Sequence, residues 1–291
     1  MDAKYLKYYA VVYADADGMG KFLQELSRKD TCEADTKLFS ERCLSYDVKA
    51  AEMINDYGGM AIYAGGDDLL FLAPLKSRGK TIFGLCKDIS KLFQEEISGE
   101  DKDFSDCTVP TVSFGISAQY YKYPLYEAFK RARECLFGMA KAHKFCGSGG
   151  ELVKNCIYFH LEKHSGQSAD ILIGNEALEE YLELLEMMFQ IKDERMVKSL
   201  GAKLYECKNI IGLMDRQYRD GSAENRRTPS WDNLFDNEGQ VSGKAFRRKV
   251  EEWYYGNLAD GEKRIVTVKS GGQEEGETFD SLLAVLRIDK F

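Results

Sequence analysis

Residues 60–73 read MAIYAGGDDLLFLA: two short apolar runs, Met60 to Ala64 and Leu69 to Ala73, with Gly65-Gly66-Asp67-Asp68 between them. Apolar strand formers on both sides of a tight Gly/Asp turn predict a β-hairpin. Gly65 and Gly66 permit the turn and let backbone approach a ligand closely. Upstream, Tyr8 to Ala14 (YYAVVYA) is a buried-strand pattern that runs into Asp15-Ala16-Asp17-Gly18. Between these strands the pattern predicts a helix from Met19 to Ser27, a polar loop from Arg28 to Asp35, and a helix from Phe39 to Tyr57 that Gly58-Gly59 ends.

Beyond the hairpin, Thr81 to Ile97 reads as a helix, Ser98 to Asp106 as a charged loop, and Thr111 to Ala118 (TVSFGISA) as a strand. Pro124 to His143 reads as a helix with proline at its start, where a missing N–H costs nothing. A glycine-rich loop, Cys146 to Glu151, leads to a strand over Leu152 to His160. The order predicts an α+β fold, helices packed on a mainly antiparallel sheet, of palm or ferredoxin-like type, over residues 1–167. Residues 168–291 are expected to form a mainly helical C-terminal subdomain, with helices over Glu176 to Gln190, Glu194 to Met214, Gly243 to Tyr255 and Phe279 to Ile288. Loops are expected at Asp220 to Pro229 and Lys269 to Thr278.

Composition narrows the function classes. Of the 291 residues, 44% are hydrophobic, enough for a real core. The formal net charge of -8 speaks against sequence-independent grip on long duplex DNA and favours small nucleotides. The eight cysteines show no CxxC spacing, so a zinc knuckle has no support and reduced thiols are expected. No apolar run approaches a membrane span, and the polar start MDAKY carries no secretory pattern, so a cytoplasmic protein is expected.

The chemistry is expected where the strand ends meet. Carboxylates on adjacent strand ends hold hard cations such as Mg2+, which keep some waters and share substrate phosphates. Asp15, Asp67 and Asp68 are the candidate catalytic acids, brought together only by folding. Two ions so held would activate an attacking hydroxyl and stabilise leaving pyrophosphate. Backbone N–H groups around Gly18 and Gly20, at a helix start, suit phosphate, and Lys141 and Lys144 near a helix end could reach one. The plainer readings stay open: Gly-Gly-Asp-Asp as an ordinary turn, Asp17 as a helix N-cap, Lys141 as solvated surface. The Arg226-Arg227 and Arg247-Arg248-Lys249 clusters read as solvated surface.

The segments 13–21 (YADADGMGK) and 62–69 (IYAGGDDL) resemble the cyclase palm and its Gly-Gly-Asp-Asp hairpin in the large subunit of type III CRISPR effector complexes, most of all the type III-B form. Residues 112–117 (VSFGIS), 121–125 (YKYPL), Ala140-Lys141 and His164-Ser165-Gly166 resemble later parts of the same palm, over roughly residues 8–166. The resemblance implies a palm related to diguanylate and class III nucleotidyl cyclases, which joins ATP into cyclic oligoadenylates with Mg2+ or Mn2+. It implies Asp15, Asp67, Asp68 and the Ala16 carbonyl as metal ligands. Asp17, Gly18, Met19, Gly20 and Lys21 would run along the triphosphate, with Gly65, Gly66, Ser113, Lys141 and Lys144 completing the nucleotide site. Asp-Asp in place of Glu-Phe at the end of the turn leans toward ATP over GTP. Beyond this one palm, the His-Asp nuclease, the other palm and the zinc-binding region of the full subunit are not expected in this sequence, so a stand-alone palm is expected. Joining nucleotides then requires two palms face to face, hence a homodimer or a higher assembly of such pairs. The product would act on an effector protein in trans, without a membrane. RNA and CRISPR complex subunits are less favoured partners, and a non-catalytic palm within such a complex, or a diguanylate or adenylate cyclase, are the alternatives.

Overall fold

The computed structural model describes residues 7–98, 104, 107–146, 152–164, 166, 168–190, 194–220, 231, 241–259, 265–266 and 282–283. The chain divides into two units, one ending at Asn175 and one spanning Glu176–Lys290. In the first, strand β1 (Tyr8–Asp17) leads to helices α1 (Met19–Leu26) and α2 (Cys32–Tyr57), then to the hairpin β2 (Met60–Gly65) and β3 (Asp68–Pro74). Two-residue strands β4 (Lys76–Ser77) and β5 (Lys80–Thr81) precede α3 (Ile82–Ser98) and strand β6 (Thr111–Tyr120). Helix α4 (Leu125–Arg133) continues as a π-helical segment, Glu134–Ala140. Short strands β7 (Phe145–Cys146) and β8 (Leu152–Val153) precede β9 (Cys156–Glu162) and β10 (Ser168–Gly174).

These strands lie in the order β10-β9-β6-β1-β3-β2. All pairings are antiparallel except β6 with β9. The expected α+β palm is therefore what forms. β1 sits mid-sheet, flanked by β3 and β6. Its even-numbered residues Ala10, Val12 and Ala14 are 0–1% exposed. That face packs under α2 and α3, where the Tyr46 and Phe93 rings lie 5.0 Å apart and those of Phe83 and Phe159 4.9 Å apart. The odd face packs under α4, with Val11 against Ala128 and Ala132. The two-residue period of a strand thus assigns each β1 side chain to one helical layer.

Several boundaries differ from the sequence expectation, each for a local reason. β1 runs on through Asp15 and Asp17, because β6 keeps pairing with it as far as Asp17 opposite Thr111. α2 begins at Cys32, inside the expected polar loop; Glu33 and Asp35 in its first turn suit the positive end of the helix dipole. The expected strand over Leu152 to His160 is broken at Asn155, whose φ of 35° leaves the β region. Residues 168–174 form strand β10 on β9 rather than opening a helical part. The loops expected at 220–229 and 269–278 lie outside the described residues, apart from Asp220 at the end of a helix. Of the helix expected over 279–288 only residues 282–283 are described, and both are helical.

In the second unit α5 (Leu178–Gln190), α6 (Glu194–Glu206), α7 (Lys208–Asp220) and α8 (Val241–Ala259) dominate, with a break at Cys207 where one helix was expected. Trp231 is fully buried there and donates from Nε1 to the Tyr255 hydroxyl at 3.2 Å, while the Tyr254 hydroxyl donates to Asp215 at 2.5 Å. No helix of the described residues is long and apolar enough to cross a membrane. Cys32, Cys43, Cys86, Cys107, Cys135, Cys156 and Cys207 are free thiols.

The π segment rests on Gly115 of β6. A Cβ there would stand 2.3 Å from the Leu136 nitrogen and 2.7 Å from the Ala132 oxygen, backbone atoms that cannot swing aside. Gly115→Ala is therefore expected to cost roughly 1–3 kcal/mol, the usual scale of overpacking, and to lower the melting temperature. Gly138→Ala, where nothing lies within 4 Å of the added carbon, is the control expected to melt like the wild type or slightly higher. Differential scanning calorimetry of both variants checks this.

Candidate functional site

Asp15 on β1 stands directly opposite Asp68 on β3. Opposed residues of an antiparallel pair project from one face with Cβ atoms about 4.5–5.5 Å apart, and like charges so placed repel. The turn between β2 and β3 has Gly66 and Asp67 at its centre, and Gly66 alone of the two takes a positive φ, 75°. A positive φ at the first central position is the demand of a type II′ turn, met at no steric cost by glycine. Asp67 follows it and lies near Asp68 and Asp47. Burial first, then Asp68, raises the Asp67 carboxyl above its ordinary range, and burial does the same to Asp68.

The ammonium of Lys141, the first residue after the π segment, meets these acids. It pairs with Asp15 Oδ2, donates to the Ala16 carbonyl at 2.9 Å and lies 3.7 Å from Asp17 Oδ1. Its reach depends on the π geometry, since the Lys141 N–H bonds the Leu136 carbonyl five residues back at 2.8 Å. Burial and then Lys154 push this ammonium down to about 8, with Cys156 acting in the opposite direction.

Asp17 does not cap α1; the N-cap is Gly18 and no side chain bonds there. Asp17 is 8% exposed and its Oδ2 accepts from Ser113 Oγ at 2.5 Å, the Asn155 N–H at 3.1 Å and Thr111 Oγ1 at 3.4 Å. Burial nonetheless raises its carboxyl. Ser113, which the resemblance placed in a nucleotide pocket, is 0% exposed and also accepts the Cys156 N–H at 3.3 Å. Both side chains are engaged inside the protein and brace the end of β1. Gly18 and Gly20 are exposed and Met19 half-buried at the start of α1, whose first N–H groups have no partner within the helix. Lys21 leans away along α1, donating to Thr108 Oγ1 at 3.2 Å with Glu25 at 3.7 Å. Lys144 is exposed. Gly65 is walled by Tyr63, whose hydroxyl would lie 2.5 Å from an added Cβ.

The fit to a divalent ion can be judged from these donors. They are hard oxygens, suited to Mg2+ or Mn2+, and a side-chain cation already stands on the Asp15 carboxylate and the Ala16 carbonyl. Among the described residues no three His, Cys, Asp or Glu side chains are gathered to hold a metal on their own. Mg2+ ordinarily takes one or two carboxylates and completes its shell with water and phosphate. The residues fit that mode and do not form an all-protein cage. A cleft of about 460 Å³ lined by Tyr9, Met60, Leu72, Pro74 and Tyr123 opens near the far end of β1, away from the acids.

Two contributors escaped the sequence reading. Asn155 supplies a backbone N–H to Asp17, and Asp47 of α2 accepts the Gly66 N–H at 2.9 Å. Asp47 had a signal: it is the lone acid in the buried row Cys43, Tyr46, Asp47, Ala50, Ile54.

Residues 8–145 match the family described as Cas10/Cmr2, second palm domain. The CRISPR system Cmr subunit Cmr2 of Pyrococcus furiosus is 27% identical over 158 residues, which are 46% of this chain and 17% of that protein. A chain of the type III-B Cmr-beta apo-state cryo-EM structure superposes with a TM-score of 0.55 at 13% identity, over 98% of this chain and 38% of that one. The likeness in fold runs past the palm, and this chain spans well under half of either relative.

Crowded, desolvated acids imply a site that is costly without a cation. The double variant Asp67→Asn/Asp68→Asn is expected to melt roughly 1–3 °C above the wild type in chelator at pH 7.5. Mg2+ at millimolar concentration is expected to raise the wild-type melting temperature and leave the variant's unchanged. Differential scanning fluorimetry checks both.

Proposed function

We propose, from the premise that residues 8–145 form a palm domain of the Cas10/Cmr2 kind, that this chain is a metal-dependent nucleotidyltransferase joining ATP into a cyclic oligonucleotide second messenger. The observation that carries the reading is the direct opposition of Asp15 and Asp68 on β1 and β3, beside the start of α1 and under the ammonium of Lys141. Nucleotidyl cyclase and polymerase palms need such acids at a strand end, facing a phosphate site.

Asp15, Asp68, Asp67 and the Ala16 carbonyl would hold Mg2+ or Mn2+. Once bound, the ion supplies charge stabilisation to the transferring phosphoryl group and the leaving pyrophosphate. The N–H groups of Met19, Gly20 and Lys21 at the start of α1 take phosphate oxygens. Lys141 leaves Asp15 for phosphate, and Lys144 adds positive charge from the solvent side. Asp17 and Ser113 hold the β1 end in place from within. Bond formation needs the hydroxyl of one nucleotide presented to the α-phosphate of another, so a second palm must face this one. We assign that role to a second copy of the chain in a two-fold pair, with the product read by an effector protein in trans.

A second reading has one observation in its favour. Lys141 already neutralises Asp15, as in a palm that holds nucleotide without chemistry inside a type III CRISPR ribonucleoprotein. It predicts copurification with RNA and no turnover.

With ATP and Mg2+ or Mn2+ the protein is expected to release pyrophosphate, and Asp67→Ala/Asp68→Ala to cut that rate more than about 100-fold. Mass spectrometry of products from a panel of four nucleoside triphosphates identifies the base and the ring. Unchanged turnover in the double variant ends the reading. Analytical ultracentrifugation at micromolar concentration with ATP and Mg2+ is expected to find a dimer; a monomer throughout counts against the two-fold pair.

A further inference from the structure

The acidic turn is gripped from behind by one side chain. Asp47 lies in the middle of α2 and is 9% exposed. Its Oδ2 accepts the Gly66 N–H at 2.9 Å, and its Oδ1 has no hydrogen-bond partner among the described residues. In a two-residue hairpin turn the first central N–H points away from the ladder and has no strand partner of its own. Asp47 is therefore the acceptor that keeps this donor satisfied.

A carboxylate is an expensive choice at this position. Its neighbours along the buried side of α2 are Cys43, Tyr46 and Ala50, and a leucine there would bury well. Burial raises the Asp47 carboxyl, opposed only by the bond from Gly66. The Cys43 thiol is pushed up to about 12, by burial first and then by the charges of Asp47 and Asp67. Asp47 also adds to the repulsion on Asp67. A group that costs stability in this way and makes one well-formed bond, to the residue with the special φ, is there for that bond.

We infer that Asp47 is a positioning residue for the acidic turn: by holding the Gly66 N–H it fixes the type II′ geometry that sets Asp68 opposite Asp15 and Asp67 beside α2. The inference rests on the proposed reading of the turn as the ion-holding edge of a nucleotidyltransferase site. It concerns a residue that touches neither ion nor nucleotide.

Asp47→Asn keeps an acceptor oxygen at the same reach, whereas Asp47→Leu fills the space without one. Asp47→Leu is expected to weaken Mn2+ binding, followed by electron paramagnetic resonance, by roughly tenfold or more. It is expected to lower kcat for pyrophosphate release by a similar factor, with KM for ATP changed less than about twofold. Asp47→Asn is expected to restore both to within about threefold of wild type. A purely structural role would instead leave the two variants alike or move KM and kcat together. Hydrogen exchange at the Gly66 amide provides a readout independent of turnover: the exchange rate is expected to rise about tenfold or more in Asp47→Ala and to stay near wild type in Asp47→Asn. Equal exchange in Asp47→Ala and wild type, or Asp47→Asn as defective as Asp47→Leu, overturns the inference. If the wild type releases no pyrophosphate, the proposed reaction fails while exchange and Mn2+ binding still decide the role of Asp47.

Discussion

Two like charges facing each other across a strand pair are the constraint on which the rest of the palm turns. Asp15 and Asp68 are held in register by β1 and β3, and neither can retreat without breaking the central pairing of the sheet. Cross-strand acids lose stability unless a cation lies between or over them. The protein supplies a partial answer in Lys141, brought from a distant helix onto Asp15 and the Ala16 carbonyl. The arrangement is therefore electrostatically unfinished on the Asp68 side. A further cation placed over Asp68 would complete it.

Much of this was legible in the sequence, because the informative residues are those with strict conformational demands. Glycine at 66 declares a turn that needs positive φ, and the alternation of β1 sorts its side chains between two helical layers. The opposition of Asp15 and Asp68 follows once the two strands pair. What could not be read depends on tertiary contacts. Asp17 looks like a helix cap by position, yet β6 extends the strand past it and offers Ser113 and Asn155 as partners. Ser113 resembles a pocket residue by motif, but the strand buries it completely. Strand β10 has only seven residues, and its assignment depends on an edge of β9 waiting for it. Asp47 was hidden because helical periodicity reports which side of α2 is buried and says nothing of what that side touches.

The site is supported from three directions that differ in kind. From α2 comes a single hydrogen bond to the turn. From β6 and the Asn155 bend come the bonds that hold Asp17. From the π segment comes a movable positive charge. The last has the longest reach for movement without disturbing the sheet, since a lysine side chain has four rotatable bonds and an aspartate two.

That third support carries a consequence for how such a chain tolerates change over time. The seven residues Glu134–Ala140 hold one wide helical turn pressed onto Gly115, and the wide turn decides the angular position from which Lys141 departs. Relaxation of those seven residues to ordinary α pitch, with none removed, would rotate everything downstream by on the order of 100°. The pitch of this one turn is the quantity that drift must leave untouched.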